Sequence, residues 1–229
     1  MLLGLNLLAL ESATEHCSAA LWLDGQVVVR HGLNPQRHSE TLLPLVQELL
    51  EEAGLGSGAL GAVAFGAGPG AFTGLRLACG VAQGLALGLA IPVIPVSTLM
   101  ALAQSAAETR VVALLDARMG QVYCAAYERD GEDWLTRVDP CLCDPGALPP
   151  LPQGHWLPVG SGAEMLGSRL DQAWPGQLLP ARAGIVPDAA HIATLAARAY
   201  ACGAAVPPEA ASPVYLRDKV AQTRAERAS

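Results

Sequence analysis

Ala62-Val63-Ala64-Phe65-Gly66-Ala67-Gly68-Pro69-Gly70-Ala71-Phe72-Thr73-Gly74-Leu75-Arg76 is the stretch on which the reading of this chain turns. An apolar run of strand character passes into a loop dense in glycine, and a helical stretch follows from Leu75 to about Leu89. Gly66, Gly68, Gly70 and Gly74 permit positive φ and the close approach of another group. Pro69 stiffens the turn, and Thr73 is placed to cap the helix. A loop of this kind at a helix N-terminus can hold an anion or another backbone. A tight strand-to-helix turn would use the same residues. The loop is not a P-loop, because it contains no Gly-Lys-Ser/Thr.

Outward from this stretch the chain alternates strands and helices. Residues 5–11 read as a buried strand, and residues 17–23 and 26–32 flank the hairpin signal Asp24-Gly25, giving an opening meander. Residues 39–53 read as an amphipathic helix, with Leu42, Leu43, Val46, Leu49 and Leu50 on one side and Gln47, Glu48, Glu51 and Glu52 elsewhere. Gly54 suits its C-cap. Residues 93–96 form a further strand, and Ser97 caps a helix through about Ala106. A second half opens with strands at residues 111–116 and 121–129, closed by the Asp130-Gly131 turn. Residues 139–160, rich in proline and glycine, read as loop. Residues 187–202 are helical with Pro187 in the first turn, and the tail from Pro207 is irregular, its polar end at 218–229 expected to be mobile.

A chain of 229 residues suffices for one large domain or two small ones. Hydrophobic residues at 52% against 15% charged supply a sizeable core and exclude global disorder. The net charge of −7, with Lys219 as the single lysine, argues against independent, tight binding to nucleic acid, which needs clustered Lys or Arg. It leaves room for a partner that supplies the basic surface. The cysteines, Cys17, Cys79, Cys124, Cys141, Cys143 and Cys202, include no C-x-x-C pair, and Cys141-Leu142-Cys143 is too tight for a usual zinc knuckle. Several sit in apolar runs as small hydrophobes, so a reducing cytosol is the simplest setting and a cytoplasmic location is expected. The apolar start at residues 1–10 has no basic n-region and does not read as a signal peptide. Residues 77–91 are too short to cross a bilayer and are interrupted by Gln83, so no membrane is expected.

The segment Gly68-Pro69-Gly70-Ala71-Phe72-Thr73-Gly74-Leu75-Arg76 closely resembles the GPGSFTGLR signature of the bacterial TsaB (YeaZ) family, whose members help install threonylcarbamoyladenosine beside the tRNA anticodon. Other blocks keep the family order. Leu8-Ala9-Leu10-Glu11-Ser12-Ala13-Thr14-Glu15 resembles its LAIDTATE strand and turn, and Arg37-His38-Ser39-Glu40 with Leu42-Leu43-Pro44 resembles its H-S-x-x-L-L-P helix start. Pro95-Val96-Ser97-Thr98-Leu99, Asp116-Ala117-Arg118-Met119-Gly120-Gln121-Val122-Tyr123 and Pro213-Val214-Tyr215-Leu216-Arg217 are similar too, while residues 130 to 210 supply few specific matches. The two halves of the chain also start alike, since Leu8-Ala9-Leu10-Glu11 and Ala113-Leu114-Leu115-Asp116 are both apolar strands ending in an acid. The resemblance implies an α/β chain of actin-like, ribonuclease H-like fold, with two lobes of mixed sheets flanked by helices and the second lobe reduced. Residues 1–108 would form the first lobe with its partner-binding helices, and residues 109–229 the smaller lobe and tail.

In active actin-like proteins, both strand-turn-strand units hold phosphates and metal through an acid and hydroxyl-bearing turn residues. Their counterparts here are Glu11, Ser12 and Thr14, then Asp116, with Gly160 and Gly162 as a remnant of the adenosine-binding turn. Glu11 stands where the family usually carries Asp, and its extra methylene moves the carboxylate by more than ~1 Å, which tight metal geometry tolerates poorly. Ala117 and Arg118 occupy places where a kinase would use small hydroxyl or glycine residues. Ordinary turn chemistry accounts for each of these residues. No cofactor is expected to be required, and weak ATP or ADP with Mg at a lobe or subunit interface is the most they offer. His38 lacks the i+4 histidine of the catalytic relative TsaD, because Leu42 stands there, and His16, His31, His155 and His191 lie elsewhere. Neither a TsaD-like metal centre nor metallopeptidase activity is expected. Nucleophilic catalysis finds no G-x-S-x-G elbow and no cysteine with a recognisable histidine partner.

The helix behind the glycine loop carries the strongest binding signal. Gly80, Gly84 and Gly88 recur every four residues, with Ala78 and Ala82 beside them. Interior glycines each cost a helix about 1 kcal/mol against alanine. Aligned on one face they admit another backbone, either a partner's or that of the chain's own sheet or first helix. The resemblance implies that the first two helices dimerise and bind TsaD, which would put His38, Leu42, Leu43, Val46, Leu50, Arg76, Gly80, Gly84 and Gly88 at an interface. The expected function is a non-catalytic subunit that binds TsaD, with the ATPase TsaE, and meets tRNA only through the complex. The rival is a small actin-like ATPase or kinase using Glu11, Thr14 and Asp116, and a plain homodimer is the third reading.

Overall fold

The apolar runs form two sheets in a computed structural model that describes residues 4–32 and 37–217; the tail at 218–229, expected to be mobile, and residues 1–3 of the apolar start lie outside the described residues. The first sheet holds β1 (Asn6–Glu11), β2 (Ser18–Leu23), β3 (Gln26–His31), β4 (Ala62–Gly68) and β5 (Val93–Ser97) in the order β3-β2-β1-β4-β5. Asp24 and Gly25 both take positive φ, so the β2–β3 connection is the tight hairpin their sequence signals. β4 and β5 then add in parallel beside β1. The second sheet holds β6 (Arg110–Asp116), β7 (Val122–Asp130), β8 (Asp133–Cys143) and β9 (Leu157–Val159) in the order β8-β7-β6-β9, with β9 parallel to β6. The helices are α1 (His38–Glu52), α2 (Phe72–Leu89), α3 (Thr98–Gln104), α4 (Ser161–Leu166), α5 (Arg169–Ala173) and α6 (Ala189–Ala201). Two mixed sheets flanked by helices, the second smaller, is the architecture expected from the sequence.

Strand alternation sorts the apolar residues into layers. Leu7 and Ala9 point towards α3 and α6, whose Leu99, Leu102, Ile192 and Ala196 also meet Val111, Ala113 and Tyr127 of the second sheet. Leu8 and Leu10 point the other way, onto Leu42, Val46 and Leu49 of α1 and Ala78 and Ala82 of α2. A third cluster joins Val112, Leu114 and Cys124 to Leu166, Trp156 and Trp174. The sheets divide between Gln104 and Arg110, whereas α6, from the far end of the chain, packs on β1, β2, β4 and β5.

Two expectations are corrected. Residues 139–160 are not all loop, since β8 runs on to Cys143 and β9 lies at Leu157–Val159. β8 is an edge strand, where Pro140 need donate no ladder bond, and an irregularity in its pairing accommodates Asp139 and Pro140 between Val138 and Cys141. The second helix begins at Phe72, not Leu75; its N-cap is Ala71, without a side-chain cap, and Thr73 lies inside the first turn. At 18 residues α2 is, among the described residues, the one helix long and apolar enough to cross a bilayer by length and composition. Gln83, read from the sequence as an interruption, is a half-buried anchor whose amide donates to the carbonyls of Pro208 and Ala211 at 3.1 and 3.0 Å.

Candidate functional site

The glycine loop closes on backbone, not on open space. Ala71 N–H donates to the Ala13 carbonyl at 2.7 Å, and the Ser12 hydroxyl donates to the Gly74 carbonyl at 2.9 Å. A Cβ at Gly70 would lie 2.5 Å from the Ala13 oxygen, and one at Gly74 would collide with the Ser12 oxygen. The start of α2 is therefore seated directly on the β1–β2 turn, which only glycine at these two positions permits.

A cleft of about 720 Å³ opens beside this contact, between the two sheets. The first lobe lines it with Ser12, Thr14, His38 and the glycine loop, and the second with Asp116, Ala117, Arg118, Met119 and Ser161. Val214, Tyr215, Leu216 and Arg217 line it from the end of the chain. Of the residues singled out for a nucleotide, Ser12, Thr14 and Asp116 reach the cleft. The Ser12 hydroxyl is spent on Gly74, and Thr14 Oγ1 accepts from the His16 amide at 3.2 Å. Asp116 Oδ1 accepts from the Arg118 amide at 2.7 Å, and its Oδ2 pairs with the Arg118 guanidinium at 3.3 Å. Gly160 and Gly162 lie behind the lining, where their missing side chains let the start of α4 rest on Leu114 and Leu115 of β6.

Glu11 is fully buried and does not line the cleft. Its Oε1 accepts from the Ala13 amide at 2.6 Å, while Oε2 has no partner and lies where a Cβ on Gly66 would stand. Burial raises its pKa from the ordinary 4.5 to about 7, with the Ala13 amide opposing and the charge of Asp188 adding to the rise. The acids therefore do not fit a bound Mg-nucleotide, because one faces away from the cleft and the other is occupied by a guanidinium. Among the described residues, no group of three His, Cys, Asp or Glu side chains could hold a metal ion.

The Pro213–Arg217 block, matched in sequence without a role, crosses the cleft as a strap. Val214 N–H donates to the Ala67 carbonyl at 2.7 Å, and Arg217 donates to the carbonyls of Ala117 and Arg118 at 3.1 and 3.5 Å. Arg76, expected at an interface, is exposed but engaged. Its Nε donates to the Tyr215 hydroxyl at 3.0 Å, and its guanidinium lies 3.9 Å over the Phe72 ring.

The outer face of α2 is the other feature that stands free. Gly80, Gly84 and Gly88 are all exposed, and a Cβ on any of them would meet nothing within 4 Å. Packing of α2 on β4 uses the opposite face, with Ala78, Ala82 and Ala86 buried. The stripe is thus not occupied by the chain's own sheet. Leu87 of α2 and Leu43 of α1 are 60% and 50% exposed. Leu42 and Val46 are corrected: both are buried beneath α1, where they hold the helix to the sheet, and neither is on the outer surface. Leu50 is half-buried against the same cluster, and His38 Nε2 donates to the Glu15 carbonyl at 3.1 Å.

The family model described as TsaD, tRNA N6-adenosine threonylcarbamoyltransferase, matches residues 30–164. The tRNA threonylcarbamoyladenosine biosynthesis protein TsaB of Escherichia coli is 41% identical over 95% of this chain and 96% of that protein. TsaB of Haemophilus influenzae is 35% identical over 95% of each. Among solved structures, YeaZ from Pseudomonas aeruginosa superposes with a TM-score of 0.85 at 38% identity, over 93% of this chain and all of that one. A Pseudomonas aeruginosa protein described as uncharacterized, with similarity to peptidase YEAZ, reaches 0.86 at the same identity.

Proposed function

The chain belongs to the TsaB (YeaZ) family, and from that premise we propose that it is a non-catalytic subunit of tRNA threonylcarbamoyladenosine biosynthesis that binds and supports TsaD. The observation that carries this reading is the free glycine stripe of α2, with Leu87 exposed on the same helix and Leu43 exposed on α1. A helix normally avoids interior glycine, and three on one open face lower its stability without helping its own packing. They do admit a second helix at close range. TsaD occupies this face in the heterodimer, a second copy of the chain occupies it in the homodimer, and TsaE joins the heterodimer. The acidic balance of the chain leaves tRNA contact to the partners, and the whole assembly works in the cytoplasm.

The rival reading as a small ATPase or kinase has the 720 Å³ cleft in its favour. Its proposed acids are poorly disposed for the task, as Glu11 is buried away from the cleft and Asp116 is paired with Arg118. The function we propose assigns no cofactor to the chain. Light scattering after size-exclusion chromatography of the chain mixed with TsaD from the same source separates the readings. A heterodimer supports the subunit role. Absence of a complex at micromolar concentration, with ATP turnover lost on Asp116→Ala, supports the rival.

A further inference from the structure

Three of the cysteines meet in the second sheet, away from the cleft and from the α2 stripe. Cys124 of β7 pairs directly with Cys141 of β8, and Cys143 follows two residues on, at the end of β8. Residues two apart on a strand share a face, and here the sulfurs of Cys141 and Cys143 are 3.3 Å apart. Cys141 Sγ also lies 3.5 Å from the Cys124 carbonyl. Cys141 is half-buried on an edge strand, Cys143 is largely buried, and Cys124 is fully buried. The more exposed of the two cysteines, Cys141, thus has the more deeply buried Cys143 at contact distance.

We propose that Cys141 and Cys143 form an oxidative modification site, in which hydrogen peroxide converts the dithiol reversibly into an intrachain disulfide. The Cys141 thiolate attacks one peroxide oxygen, so that an S–O bond forms, the O–O bond breaks and hydroxide leaves to become water. Cys141 is then a sulfenic acid and the peroxide is reduced. The Cys143 sulfur attacks the Cys141 sulfur, the S–S bond forms, and the S–O bond breaks as the oxygen leaves with the Cys143 proton as a second water. Two thiols and one peroxide give one disulfide and two waters.

Geometry favours this over the alternatives. The sulfurs must close from 3.3 Å to ~2.0 Å, and the backbone that adjusts is the last three residues of an edge strand, paired on one side only, with Val122, Tyr123 and Cys124 of β7. Neighbouring thiols, Cys124 first and then Cys143, can donate to the Cys141 sulfur and hold its pKa below the ordinary thiol value, against the effect of burial. The ring spans only three residues, so it is easily reduced, as suits a transient disulfide in a reducing compartment.

The test treats the full-length chain with hydrogen peroxide, blocks remaining thiols, and maps linkages by mass spectrometry of a non-reduced digest. The Cys141–Cys143 linkage should accumulate about ten-fold faster than oxidation of the exposed Cys202, and dithiothreitol should reverse it. In Cys143→Ser, Cys141 should stop at a sulfenic acid that dimedone traps. Oxidation of Cys202 at an equal rate, or a Cys124–Cys141 linkage in place of Cys141–Cys143, would overturn the proposal.

Discussion

Arg217 donates to the carbonyl oxygen of Ala117 at 3.1 Å, and so joins the end of the described chain to the β6–β7 turn. Three residues earlier Val214 is bonded to Ala67 of β4. The strap is thus anchored in both lobes, across the mouth of the cleft. Arg217→Ala removes the second anchor. Discounted for partial exposure, its charged hydrogen bonds are worth about 1 kcal/mol. The variant should lose that much in urea unfolding, and amide exchange at Val214 and in residues 117–121 should rise together. Unchanged exchange at Val214 would mean the two anchors act separately.

Glu11 makes stability depend on pH with a definite sign. Its folded pKa, about 7, lies above the 4.5 of the free side chain. The folded state therefore holds the proton that the unfolded state has already released. The favourable contribution is complete below pH 4.5 and is lost as pH rises to 7 and beyond. The loss is on the order of 3 kcal/mol for a shift of this size. Wild type should be markedly less stable at pH 8.5 than at pH 4.5, and Glu11→Gln should flatten that profile and be the more stable protein in alkali. A wild-type profile that stays flat through this window would show that Glu11 is already charged in the folded state.

What the sequence discloses depends on how many faces of an element are buried. β1 and β4 are covered on both sides, so their apolar runs read plainly. β8 is an edge strand, buried at only two of its positions, Trp134 and Cys143, and carrying Pro140, so no continuous apolar run marks it off from loop. The leucines of α1 are similarly ambiguous. Leu42 and Leu43 are neighbours in one apolar run, yet Leu42 faces the sheet and Leu43 faces out, because the turn of the helix sets them 100° apart. The Pro213–Arg217 block stands out in the sequence but its role as a strap does not, since its anchor at Val214 is a backbone bond that any sequence could make. The period-four glycines were legible as a stripe, but only the packing of Ala78, Ala82 and Ala86 on β4 shows which way that stripe faces.

Two glycines of α2 should answer alanine in opposite ways. At Gly74 the new methyl would strike the Ser12 carbonyl, which is backbone and cannot swing aside. Gly74→Ala should cost at least about 2 kcal/mol, in the range of overpacked sites, and disturb the seat of α2 on the β1–β2 turn. At Gly80 there is open space and ordinary helical geometry. Gly80→Ala should gain up to about 1 kcal/mol. Thermal unfolding of the two variants side by side measures both, and equal effects would contradict this account of the loop.

Gly84→Leu separates folding from assembly. Its Cβ meets nothing within 4 Å, so the side chain projects into solvent in the free chain. Leucine is a far better helix former than glycine, by roughly 0.8 kcal/mol, and the isolated variant should melt slightly higher than wild type. Against a partner helix seated on the stripe, the same side chain is a wedge of four carbons where no volume was available. The heterodimer with TsaD, or the homodimer in its absence, should therefore weaken at least ten-fold, about 1.4 kcal/mol, in sedimentation or light scattering. A variant that is both more stable and less associated would locate the interface on α2, because destabilisation could not explain the loss. Association at wild-type strength would remove the stripe from the interface and leave the glycines without the role assigned to them.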